Sequence, residues 1–122
     1  EIAHQALSEL HIVESMHARK ALMAEKADAF IALPGGIGSF EELFEMWTWA
    51  QLGFHSKPIG LLNTADYYSG LIAFLNHATS EDCMHAATRN ILQVSANAGE
   101  LLDLLSSYAP QRTPHWVGAG QT

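Results

Sequence analysis

The chain has a single cysteine, Cys83, in 122 residues. A lone thiol has no internal disulfide partner and suits a reducing compartment. Positive charge is also scarce: six Lys and Arg stand against thirteen Asp and Glu, a formal charge of -7. A chain of that sign does not follow a phosphate backbone, so nucleic acid is not an expected partner. No apolar run approaches the ~18 residues needed to span a bilayer, and the first twenty residues lack a basic start followed by an apolar stretch. Membrane and secretory readings drop out, and a cytoplasmic location is expected. What is present is 48% apolar residues, enough for one core and one domain, expected over residues 1–109. The chain opens at Glu1 in helix-like sequence, EIAHQALSEL, and a missing beginning is expected.

Apolar periodicity alternates between short aliphatic runs and longer stretches with helical spacing, in about four strand and helix pairs. Residues 1–9 read as the end of a helix and His11–Val13 as a short buried strand. Residues 16–27, MHARKALMAEKA, are strong helix formers without Gly or Pro. Ala29–Leu33 reads as a central strand stopped by Pro34. Residues 40–52 place Phe40, Leu43, Phe44, Met46, Trp47 and Ala50 on one broad apolar helix face, with Gly53 as its stop. Lys57-Pro58 opens a strand from Ile59 to Leu62, and Asp66 is placed to cap a helix running to about Thr79. Ile91–Val94 is a last strand, Ala98–Ser107 a last helix, and the tail from Pro110 to Thr122 is expected to be loose. This order predicts an α/β fold, a parallel sheet with helices on both faces, whose ligands bind beyond the carboxyl ends of the strands.

The segment Leu33-Pro34-Gly35-Gly36-Ile37-Gly38-Ser39-Phe40-Glu41-Glu42 lies at such an end. Its glycines allow a sharp turn and close approach of backbone to a ligand, and the amides at the following helix start form a phosphate site. Glycine spacing alone fits a ligand-free strand-to-helix turn equally well. Ser39-x-x-Glu42 also fits a capping box, which would give Glu42 a purely structural use. Against that, two carboxylates beside an anion repel it, so they are expected to face something else, such as a sugar whose developing positive charge they stabilise. A second cluster, Met16-His17-Ala18-Arg19-Lys20, precedes the glycine loop by one helix. It reads either as part of the same rim or as a solvated basic pair.

MHARK, LPGGIGSFEE, TWAQLG and KPIGLLN together resemble the LONELY GUY family of cytokinin riboside 5′-monophosphate phosphoribohydrolases, whose members are often labelled lysine decarboxylases. The family pattern PGG-x-GT-x-x-E runs from Pro34 to Glu42 with Ser39 in place of Thr, which keeps the hydroxyl. The resemblance extends to about Leu105. It implies a Rossmann-like doubly wound sheet and a catalytic pair, Arg19 and Glu42. It also implies a substrate-binding set of Met16, Lys20, Pro34, Gly35, Gly36, Gly38, Ser39 and Glu41, the last as a ribose contact. Family members carry further N-terminal strands, so this chain is expected to lack them and to hold roughly the later two thirds of the domain. The implied reaction cleaves the bond between ribose C1′ and the base of an N6-substituted adenosine monophosphate, without a cofactor, in a homodimer built partly on the apolar 40–52 helix.

Other residues offer weaker signals. The seven histidines, at 4, 11, 17, 55, 77, 85 and 115, form no HExxH or comparable spacing, and no metal is expected. Lys20, Lys26 and Lys57 supply no recognisable pyridoxal phosphate site, which counts against a decarboxylase. Trp47 and Trp49 face different ways on a helix and read as core or dimer packing. Tyr67 and Tyr68 read as packing at a helix start, and Cys83 shows no sign of being a nucleophile. The rival from another class is a non-catalytic nucleotide- or cofactor-binding carrier on the same fold that uses the loop only to hold phosphate.

Overall fold

A computed structural model describes the backbone of residues 9–110 and the side chains from Ala18 to Pro110. The element order is α1 (Glu9–Lys26), β1 (Phe30–Ala32), α2 (Ile37–Gln51), β2 (Ile59–Leu62), a 3-10 turn (Thr64–Asp66), α3 (Ser69–Ser80), α4 (Ala86–Arg89), β3 (Leu92–Ser95) and α5 (Ala98–Ser106). The three strands form one parallel sheet in the order β1-β2-β3. This is the α/β arrangement that the sequence predicts.

Register and alternation explain how both faces are covered. Phe30, Ile59 and Leu92 are in register, as are Ala32, Leu61 and Val94, so these side chains share one face. Against that face pack Leu43, Met46 and Trp47 of α2, and Ile59 and Leu61 are fully buried. Each such buried aliphatic side chain contributes about 1.5–3 kcal/mol. Trp47 adds a directed contact, its Nε1–H donating to the Thr88 carbonyl at 2.8 Å. Gly60 points to the opposite face, where a Cβ would stand 3.1 Å from the nearest Leu101 side-chain carbon. Only a bare position lets α5 sit that close to the sheet.

Several local expectations are corrected. His11–Val13 is not a strand; it lies inside α1. From Glu9 to Lys26 there is no Gly or Pro, and an apolar run so short takes the helical state of its flanks. Asp66 does not cap α3. Ala65 and Asp66 occupy left-handed backbone (φ 52° and 61°), and α3 starts later, at Ser69. No side chain bonds the first-turn amides of α3; Asn63 Oδ1 instead accepts the amide of Tyr68, the residue just before the helix, at 2.6 Å. α4 has only four residues and too little length for a periodic signal. Gly53 stops α2 as expected. At φ 85° it sends its amide to the Ala50 carbonyl while Phe54 reaches the Trp49 carbonyl, a Schellman end. Residues 1–8 and the tail after Pro110 lie outside the described residues. No helix among the described residues is long and apolar enough to cross a membrane.

Candidate functional site

The glycine segment leaves the carboxyl end of β1 and turns directly into α2. The helix begins at Ile37, with Gly36 in the N-cap position and no side chain bonded to its first turn. Ser39 is therefore already inside the helix, and the expected Ser39–Glu42 capping box does not form. Its physical condition, a serine outside the helix in extended backbone, is not met. The correction also moves the carboxylates. Glu41 and Glu42 sit in the second turn, with no acidic residue in the first. An anion held by the amides of Ile37, Gly38 and Ser39 would thus be about a helical turn from them, roughly 5 Å along the axis, and would meet the positive end of the dipole first.

The glycines differ in what they do. A Cβ on Gly35 would lie 2.9 Å from Ser39 Cβ and closer still to Ser39 Oγ, so the turn needs a bare residue there. At Gly36 and Gly38 a Cβ would meet nothing within 4 Å. Internal packing does not demand glycine at those two positions, and its effect is to leave the approach from outside open.

A groove of about 830 Å³ runs between α1 and α2 beside the edge of β1. Leu22, Met23 and Lys26 line it from α1, Phe30 to Leu33 from the strand, and Gly38, Ser39 and Glu42 from α2. Glu42 thus faces the groove from a mostly apolar wall. Glu41, the residue before Glu42 on the helix, does not line the groove. Its carboxylate pairs with Lys20 of α1, whose Nζ also reaches Glu45 Oε1 at 2.8 Å. The two carboxylates, one turn apart on α2, hold the Lys20 ammonium well above its ordinary pKa. Lys20 and Glu41 therefore bolt α1 to α2 in this structure. Arg19 is exposed and stands three and four residues before Leu22 and Met23, on the helix face that continues the groove wall. Met16 lies one turn earlier in α1, and its side chain is outside the described residues.

Sequence reasoning missed the contribution of the segment after β2. Tyr67 and Tyr68 donate their hydroxyls to the backbone carbonyls of Gly35 and Leu33 respectively, the second at 2.6 Å. The available signal was their position at the carboxyl end of a strand, on the same rim as the glycine turn. Lys26, weighed above only as a cofactor lysine, stands on the groove wall. Lys57 is committed to the end of α1, its Nζ donating to the carbonyls of Ala24 and Glu25. Among the described residues no three His, Cys, Asp or Glu side chains gather as a metal site.

The stretch that matches known proteins includes the segments that build this site. The family described as "possible lysine decarboxylase" matches residues 1–105. The chain belongs to that family. Curated relatives are named cytokinin riboside 5′-monophosphate phosphoribohydrolases, the LONELY GUY proteins. One from Arabidopsis thaliana is 48% identical over 111 residues, covering 91% of this chain and 52% of the relative. One from Rhodococcoides fascians is 56% identical over 90 residues, or 74% of this chain and 46% of the relative. A probable member from Oryza sativa subsp. japonica is 50% identical over 109 residues, 89% of this chain and 47% of the relative. The chain spans about half the length of these LONELY GUY relatives.

Proposed function

We propose that the protein carrying this chain is a phosphoribohydrolase that releases a cytokinin-type base and ribose 5-phosphate from an N6-substituted adenosine 5′-monophosphate. The observation that carries the reading is the junction of an uncapped, bare-backbone helix start with a carboxylate one turn further on, facing a groove. The names of the relatives point to the same chemistry.

In this reading the amides of the α2 start and the Ser39 hydroxyl hold the 5′-phosphate, with Pro34, Gly35, Gly36 and Gly38 shaping the cradle. The ribose then lies toward the second turn, where Glu42 stabilises positive charge developing at C1′ or orients the attacking water. Water adds to C1′, the C1′–N bond breaks, and the base leaves with a proton. Arg19 stabilises negative charge on the departing base. Met16 borders the same site. Lys20 and Glu41 serve the site through their mutual pairing. The chemistry calls for no cofactor, and the enzyme works in the cytoplasm as a homodimer. The exposed Phe44 in the middle of α2, with Leu52 and Phe54 beyond its end, offers apolar surface for that association.

Incubating the intact protein with AMP and with its N6-isopentenyl analogue, and following released base, tests the reading. Glu42→Gln is expected to lower hydrolysis by at least about a hundredfold while nucleotide binding persists. Binding without release in the unaltered protein would mean a carrier.

A further inference from the structure

We propose that Tyr67 and Tyr68 are positioning residues that orient the glycine turn for phosphate, Tyr67 by aiming the Gly36 amide and Tyr68 by anchoring the turn to the sheet. This rests on the phosphate reading of the α2 start.

The argument begins with the peptide unit. In a trans peptide the C=O and the N–H that share one plane point in opposite directions, and no cis bonds occur among the described residues. The Gly35 carbonyl accepts the Tyr67 hydroxyl. The Gly36 amide, in the same plane, is therefore turned away from Tyr67 and from the segment after β2. A glycine pair has little else to fix that plane, because neither residue has a side chain to resist a peptide flip. Without the phenol, the carbonyl of Gly35 is free to swing toward the helix start and repel an anion there.

Tyr68 differs in kind. Its hydroxyl donates to the Leu33 carbonyl at 2.6 Å, and the other half of that peptide is Pro34, which has no N–H to aim. Its contribution is placement. Tyr68 is 2% exposed, and its ring packs edge-on to Phe40 at 6.3 Å and to Tyr67 at 4.8 Å. Its own amide donates to Asn63 Oδ1 at 2.6 Å, and the Asn63 amide donates to the Ser95 carbonyl at 2.9 Å. These links run from the end of β3 through the end of β2 to the end of β1. Burial raises the pKa of the Tyr68 phenol, with the neighbouring Tyr67 hydroxyl acting in the same direction and the nearby Gly35 backbone opposing both, so it remains a donor at neutral pH.

The two side chains therefore have separable effects. In the intact protein, Tyr67→Phe keeps the ring contact and removes only the donor. It is expected to weaken binding of inorganic phosphate and of AMP by about five- to tenfold. Binding of adenosine, which lacks the phosphate, should stay within about twofold, and KM should rise more than kcat falls. Tyr68→Phe is expected to lower the melting temperature more than Tyr67→Phe does, with a smaller change in phosphate affinity. Unchanged phosphate affinity in Tyr67→Phe, or equal weakening of AMP and adenosine, overturns the proposal. Phosphate binding without hydrolysis in the unaltered protein defeats the enzyme reading and leaves the brace standing. Failure of the unaltered protein to bind any phosphate defeats both.

Discussion

Two strand ends of this sheet lead into helices through short turns, and they finish the job in opposite ways. At the start of α5, Asn97 Oδ1 accepts the Glu100 amide at 2.8 Å, and Ser95 Oγ both accepts the Asn97 amide and donates to the Glu100 carboxylate. That helix end satisfies itself and already carries a negative charge. At the start of α2 the cap position is Gly36, no side chain bonds the first turn, and no acid lies in it. Both ends obey the same demand for partners on the first amides. The chain meets the demand with its own side chains at α5 and with none at α2. The proposed phosphate site rests on a strand's carboxyl end together with first-turn amides that no side chain satisfies.

The sharpest way to erase the contrast is to give α2 the cap that α5 has. Gly36→Asp puts a carboxylate over the first-turn amides, where nothing now lies within 4 Å of the added Cβ. Affinity for AMP is expected to fall on the order of a hundredfold or more, measured by calorimetry, while helix content is kept. Next in size, Gly60→Ala attacks the α5 side of the sheet, since the new methyl meets Leu101 at 3.1 Å. Overpacking there is expected to cost about 1–3 kcal/mol in urea denaturation and to leave nucleotide affinity unchanged. Removing the α5 cap with Asn97→Ala should cost about 1 kcal/mol of stability, again without touching affinity. If Asn97→Ala weakened nucleotide binding as much as Gly36→Asp, the distinction between the two turns would be lost.

The smallest effect belongs to the far end of α2. His55 accepts the Lys57 amide at Nδ1 and donates from Nε2 to the Met46 carbonyl, each at 3.0 Å, an arrangement that suits the neutral ring. Burial, helped by the charge of Lys57, lowers its pKa below 6.5. Below that pH the unfolded chain takes up a proton more readily than the folded one, so stability falls with acidification and is flat above it. Thermal melts at pH 7.5 and about 5.5 are expected to show a modest loss that shrinks in His55→Asn.

Much of the fold was legible because its signals are local. The run after Lys57-Pro58, the apolar stripe of α2 and the amphipathic α5 each announce themselves within a dozen or so residues. The LPGGIGSFEE segment and its order relative to MHARK carried the family. What escaped depended on partners distant in sequence. The carboxylates at 41 and 42 are alike as letters, yet Lys20 claims Glu41 and leaves Glu42 to the groove. Tyr67 and Tyr68 read as packing because their acceptors lie 32 and 35 residues earlier. The capping-box pattern misled for a subtler reason: with glycine at 36 and 38 the helix starts ahead of the serine, and a motif read from spacing alone cannot say where helical backbone begins.

The links that run from Ser95 through Asn63 and Tyr68 to Leu33 have a consequence for anyone who would transplant this turn. Its shape is suspended from all three strand termini, so the PGG letters grafted onto a different scaffold would travel without the struts that give them form. A useful graft would have to bring the tandem tyrosines and their asparagine along.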